Sequence, residues 1–264
     1  MGSIVVSAFK QDNCDYAKVS VLAFYRKKGD IAVNTLPTVG HSARQERSER
    51  TRMRLIDVAA EMFAAVGYEA ASTRTIAKRA GTNVVSISYY FCNKRGLHQA
   101  VAEHIGKNIA ERLRPTCQRA RQALQSMSLT HDMMVPMFAC FMVEFAQLLM
   151  SEDISSSWFR FVCREQLFAT DAFEAIHEST LPFLKLAGEF IAKLTDRPTA
   201  SLETRIQLLA VISMLKFART DRATVARVLG RSDLDQESLQ IVIQVLRRNI
   251  EAMFASAACA RSGV

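Results

Sequence analysis

The sequence predicts an all-α protein: a small N-terminal three-helix unit carrying a helix-turn-helix, followed by a larger helical unit. Three observations lead there. Glycine and proline are sparse, 10 and 5 in 264 residues, while Ala, Leu, Arg and Met are plentiful, a composition that favours helix over strand. Apolar residues recur at three- and four-residue spacing over most of the chain from about residue 48, the period of an amphipathic helix. The charge is unevenly placed. Up to Arg114 there are 18 Lys and Arg against 10 Asp and Glu, and from Pro115 onward 16 against 16, so the whole net charge of +8 sits in the first part. A basic segment joined to a neutral one suits a protein that meets nucleic acid with one part only. On charge alone, a basic surface kept for solubility fits as well.

Several function classes drop out early. With 49% apolar residues the chain can bury a sizeable core. The cysteines (Cys14, Cys92, Cys117, Cys140, Cys163, Cys259) form no CxxC pair, which argues against a zinc ribbon and fits reduced thiols. His98, His104 and His131 lack metal-ligand spacing, so no metal is expected. There is no GxSxG, GxGxxG, P-loop or HExxH, so neither an enzyme nor a cofactor is expected. The apolar run Val19–Phe24 is too short to span a bilayer and precedes its basic residues instead of following them, which makes it a poor signal peptide. The expectation is a cytoplasmic protein without a membrane partner.

Residues 1–44 hold Gly, Pro, Asn and Ser in linker-like proportion and read as a poorly ordered extension, with at most one short strand or helix at 17–25. From Ser48, Leu55, Val58, Ala59, Met62 and Val66 mark a first helix that Gly67 ends. Ser72 is placed to cap a second helix with Ile76, Ala77 and Ala80 on its apolar face, and Gly81 stops it. Asn83 is placed to cap a third, in which Val84, Ile87 and Phe91 fall at i, i+3 and i+7 toward the core. Two short helices about a tight turn, braced by a longer one, make a helix-turn-helix. Val85, Ser86, Ser88 and Tyr89 then lie on the other faces of the third helix, where small hydroxyls and ring edges suit a major groove. The Tyr90 hydroxyl, the Lys94 ammonium, the Thr73 hydroxyl and Arg74 suit phosphates. An ordinary three-helix core with tyrosines at its rim is the competing reading.

The stretch TRTIAKRAGTNVVSISYYFCNKRGL resembles the DNA-binding signature of TetR/AcrR-type transcriptional regulators. The resemblance covers residues 48 to about 100, matching at Thr73, Ile76, Ala77, Ala80, Gly81, Ile87, Tyr90, Phe91, Asn93, Lys94 and Leu97. It departs at Thr82, at Asn83 where Ser is commoner, at Ser88 where Tyr is frequent, and at Cys92 where Pro or Gly is usual. The resemblance implies phosphate contacts from Thr73, Tyr90 and Lys94. It implies that Arg74, Val84, Val85, Ser86, Ser88 and Tyr89 face the groove, with Asn83 beside them at the helix start. Arg47, Arg50, Arg52 and Arg54 would add attraction to the backbone, although such a charge run also reads as a solvated face. The DNA-binding unit is placed at 45–96 and the regulatory unit at 97–258.

In the larger part, Leu97, Val101, Ile105, Ile109 and Leu113 mark a helix running to Pro115. Residues 133–150 are apolar nearly all round and read as a central buried helix. Helices follow at 155–169, at 172–195 with a bend at Pro182, at 202–218 and at 238–258. Phe138, Phe141, Met142, Phe145, Trp158, Phe161 and Phe168, with Arg164, Glu165 and His177 near in sequence, are candidates to line an effector cavity. Core packing is the competing reading for each, a structural pairing of Arg164 and Glu165 with neighbouring helices included, and Cys140 and Cys163 read as buried thiols. Residues of roughly 130–255 also resemble the C-terminal domain of the CecR/YbiH-like subgroup. By that likeness to TetR-type proteins the last two long helices dimerise, with Leu209, Ile212, Leu239, Val242, Leu246 and Ile250 as candidate interface residues. The function expected is a ligand-responsive transcriptional regulator, a repressor that binds a pseudo-palindromic operator as a homodimer and is released by a small molecule. The alternative is a non-specific or architectural DNA-binding protein without an effector.

Overall fold

The computed structural model describes residues 43–125, 130–151, 154–168 and 170–259, and within them ten helices and no strand. The predicted extension 1–44, including the element at 17–25, lies almost wholly outside the described residues. The packing below is that of Arg47 onward.

Helix α1 (Ala43–Ala70) buries Leu55, Ile56, Ala59, Ala60 and Phe63 along one stripe, while Val66, predicted to join it, is exposed. Gly67 breaks the helix as predicted, with φ 83° and ψ 170°. That conformation suits only a residue without a Cβ. A Cβ there would also collide with the Arg164 guanidinium, which lies directly over this backbone. Helix α2 (Thr73–Arg79) begins with the Thr75 amide donating to the Ser72 hydroxyl at 3.5 Å. It ends where Gly81 turns at φ 65°. Helix α3 (Val85–Phe91) follows and anchors Ile87 and Phe91 in the core.

Helix α4 (Lys94–Leu124) is capped by the Asn93 side chain, which accepts from the Gly96 amide at 2.9 Å. It does not stop at Pro115 as predicted but runs through it. The proline sits on the exposed side, where its missing N–H costs one bond to a solvated carbonyl. The next turn is held to α5 (His131–Met150): the Thr116 hydroxyl donates to Glu144 at 2.5 Å, and Arg119 pairs with the same carboxylate. Helix α4 packs along α7 (Asp171–Thr195) and comes so close at Gly106 that a Cβ would meet the Ser179 hydroxyl at 2.7 Å. Helix α7 continues as one helix through Pro182, where a bend was predicted.

Helix α5 is long and apolar enough to cross a membrane by composition alone, yet here α4, α7 and two later helices pack against it. It is the central helix predicted, although it is not buried all round: Phe138, Phe141, Met142 and Leu149 are buried, while Met133, Met134, Met137 and Phe145 are half-buried. Helix α6 (Ser156–Phe168) lies against α7. Helix α8 (Leu202–Thr220) is joined to α5 by Arg219, whose guanidinium donates to the carbonyls of Leu149, Ser151 and Ile154 and lies 4.9 Å from the Phe159 ring centre. A seven-residue helix α9 (Arg222–Val228) was not foreseen, being too short to show a period. Its Val225 and Ala226 form a small cluster with Leu234 and Leu239. Helix α10 (Gln236–Cys259) closes the described chain.

The predicted dimer residues divide. Val242, Leu246 and Ile250 are buried in the chain's own core, and Leu239 packs on the α9 cluster, so these four do not face outward. Helix α10 is apolar on two faces, and periodicity cannot tell which one turns inward. Ile212 is half-buried, and Leu209 is 63% exposed. The large apolar residues left open on these two helices are Leu202, Ile206, Leu209 and Phe217 on α8 with Ile241, Val245 and Met253 on α10.

Candidate nucleic-acid interface

The start of α3 is secured by the Ser86 amide, which donates to the Asn83 side chain at 3.2 Å, so Asn83 caps as predicted. The Ser86 hydroxyl shares a 2.7 Å hydrogen bond with the Thr82 hydroxyl and is half-buried, occupied in closing the turn. Ile87 is 2% exposed, whereas Val85 is 66% and Tyr89 77% exposed. Ser88 is exposed as well. Helix α3 therefore offers solvent one continuous outer face.

Val84 does not face the core as its spacing predicted. It sits at the open lip of the turn, before α3 begins, and joins Arg74, Ala77, Lys78, Gly81, Thr82 and Asn83 around a surface hollow of about 490 Å³. This places it with the groove-facing set. Lys78 was missed, although it follows Arg74 by four residues and so shares its helix face.

Tyr90 and Lys94 are less free than the sequence suggested. Tyr90 is half-buried, its hydroxyl hydrogen-bonded to that of Ser48 at 2.9 Å and its ring edge-on to Tyr89 at 4.8 Å. Lys94 donates to the Glu69 carbonyl at 3.1 Å, with its ammonium 4.6 Å from the centre of the Tyr68 ring. Thr73 is half-buried and Arg74 exposed at the N-terminus of α2. Of the arginines before and within α1, Arg52 pairs with Glu49 at 3.5 Å and lies over Phe91, and Arg47 and Arg54 are exposed. Tyr68, Glu69 and Ser48 carried no sequence signal, since each acts through a contact between distant positions.

The candidate effector residues fall into separate groups. Phe138, Phe141 and Phe145 pack against Phe183, Phe190 and Phe254, tilted or edge-on, as core aromatics. Met142 is buried with them. Phe161 lies apart with Phe63 and His98, Trp158 stands edge-on to His104 at 5.3 Å, and His177 stacks on Phe173 at 5.7 Å. Phe168 is 68% exposed and lines no interior cavity. Glu165 is buried, but its partners are His98 and Thr170, with Arg164 instead over Gly67. Burial pushes the Cys140 and Cys163 thiols up, which suits inert packing. Burial also raises the Asp57 carboxyl and lowers the His104 imidazole beside it, against their mutual attraction.

Two families match the sequence of this chain. The one described as bacterial regulatory proteins, tetR family, matches residues 55–101. The C-terminal domain of the HTH-type transcriptional dual regulator CecR matches residues 137–257. The dual regulator CecR of Shigella flexneri is 26% identical over 206 residues, which span 78% of this chain and 92% of that protein. A solved TetR-family structure from Mesorhizobium loti superposes with a TM-score of 0.52 at 16% identity, over 80% of this chain and 98% of that one, and speaks for the fold. AmtR of Mycobacterium smegmatis gives 0.47 at 18% identity over 87% of this chain and 99% of that one. The signature on α1–α3 and the match over the helical body agree: the chain belongs to the TetR family of bacterial transcriptional regulators, with a C-terminal domain of the CecR kind.

Proposed function

We propose that the protein is a repressor that binds a pseudo-palindromic operator as a homodimer and leaves it when a small molecule occupies the helical body. The observation that carries this reading is the outer face of α3, with Val85, Ser88 and Tyr89 in solvent and Ile87 and Phe91 anchored behind. A short helix so presented suits a major groove, and Arg74 and Lys78 at the neighbouring hollow suit phosphates. One such head makes few base contacts, and a two-fold pair doubles them over a symmetric site. The open apolar stripe on α8 and α10 supports a second copy as the partner, since a self-complementary face closes a dimer.

Release follows if an effector favours a state in which the two heads no longer match successive grooves. Thr73, Asn83, Val84, Tyr90 and Lys94 take the remaining contacts at the backbone and the groove edge. Family membership supports regulation over catalysis, and action on the chromosome supports a cytoplasmic location. The Shigella relative is named a dual regulator, so the sign at any one promoter would follow from where the operator lies.

The test is to sequence the genomic fragments that the purified protein retains at fixed salt. One inverted repeat favoured over random DNA by roughly a thousandfold is the expected result. Equal retention of all fragments would leave a non-specific DNA-binding protein instead. Small molecules are then screened for release of the retained fragment.

A further inference from the structure

Three contacts join the corner between α6 and α7 to the end of α1 and the start of α4. Arg164 covers Gly67, Glu165 meets His98, and Asp171 pairs with Arg95. The Asp171–Arg95 pair is mostly in water and contributes little. The Glu165–His98 pair is different. Both side chains are buried, and the His98 Nε2 donates to a Glu165 carboxylate oxygen at 3.1 Å. The other carboxylate oxygen accepts from the Thr170 hydroxyl, which also caps α7. Burial by itself would raise the Glu165 carboxyl, yet the hydrogen bonds from His98 and Thr170 outweigh it and hold the group ionised.

The imidazole is walled by Phe63 at 4.8 Å, Phe161 at 5.3 Å and Tyr68 at 4.8 Å between ring centres. Tyr68 is in turn the platform beneath the Lys94 ammonium. Four side chains thus touch in series, Glu165 to His98 to Tyr68 to Lys94, from the helical body to the DNA side. An ammonium carries three donors. One goes to the Glu69 carbonyl, and with the ring beneath the ammonium a donor is left on the side away from Tyr68.

We infer that Glu165 and His98 are positioning residues for Lys94, setting its ammonium toward a phosphate, and that this series carries a shift of α6 into the DNA-binding head. The inference rests on the DNA-binding reading above. A buried, charge-assisted hydrogen bond tolerates little displacement, so a movement of α6 by about 1 Å breaks it. The imidazole then loses its tether, Tyr68 loses a wall, and Lys94 loses its platform. Arg164 over Gly67 flanks this route and holds the corner in register.

The experiment is a double-mutant cycle on the full chain, with the retained operator fragment as probe and fluorescence anisotropy over a salt series. Glu165→Gln is expected to weaken the operator about tenfold and to lower the salt slope by about one phosphate. In a Lys94→Met background the same change is expected to cost less than about twofold, since the residue it positions is gone. An equal loss in both backgrounds, or no loss in either, would overturn the inference and leave Glu165 as packing only. Where Glu165→Gln fails to fold, Tyr68→Leu takes its place: it removes the platform and one wall of the imidazole while keeping both partners of the buried hydrogen bond, and is expected to give the same non-additivity. A wild-type protein that retains no fragment defeats the DNA-binding reading and this inference with it. A binding wild type with an additive cycle defeats this inference alone.

Discussion

The hydroxyls of Tyr90 and Ser48 lie 2.9 Å apart and join α1 to the end of α3, though 42 residues separate them in the chain. The bond holds the Tyr90 oxygen at the rim of the head, where a phosphate can take up the remaining hydrogen-bonding capacity of the pair. Tyr90→Phe is expected to weaken operator and scrambled DNA alike, by about five- to tenfold. Ser48→Ala is expected to stay within about twofold. Anisotropy titrations on both probes check this, and a loss confined to the operator would assign Tyr90 to base reading.

Tyr89 is the most exposed aromatic of α3, so its removal should alter recognition and not folding. Tyr89→Ala is expected to change stability by less than about 0.5 kcal/mol. Its preferred sequences should change at one or two positions of each half-site, as read by selection from a random library. An unaltered preference would move Tyr89 off the groove.

Glu165 should leave its mark on the acid limb of stability. Its folded carboxyl is held below the ordinary 4.5 by the bonds from His98 and Thr170, which outweigh the cost of burial. A group depressed in the folded state stabilises it fully above the unfolded value, and this stabilisation is lost as pH falls through the folded value. Glu165→Gln should therefore cost about 2 kcal/mol near neutrality and progressively less in acid. Urea unfolding at several pH values tests this; a constant difference would mean that the carboxylate charge is not what matters.

The open stripe on α8 and α10 predicts where the dimer parts. Leu209→Arg or Ile206→Glu puts a charge into that face, and either is expected to turn a sedimenting dimer into a folded monomer at micromolar concentration, with operator affinity falling by a hundredfold or more, on the order of the avidity lost. Leu246→Arg, by contrast, should unfold the chain, because Leu246 is buried within it. A dimer that survives both surface changes would place the interface elsewhere.

Much of the head was legible because its signals are local. Ser72, Gly81 and Asn83 act within three or four residues of their own position, and the alternation of Ile87 and Phe91 with Ser88 and Tyr89 is a helix seen from its side. Val84 was misplaced because an i, i+3 pattern was extended one residue past the true helix start. Helix α4 passed Pro115 because Glu144, from another helix, holds the following turn. The inward face of α10 and the engagement of Lys94 with Tyr68 and Glu69 are tertiary facts that no spacing encodes.

Gly67 and Arg164 fit together as one unit. The guanidinium rests where a larger residue would have its side chain, and the positive φ of Gly67 would strain such a residue even if the arginine swung aside. Losing the arginine would not open the position to other residues, and a graft of this head onto a foreign body should keep the glycine whichever side chain comes to lie over it.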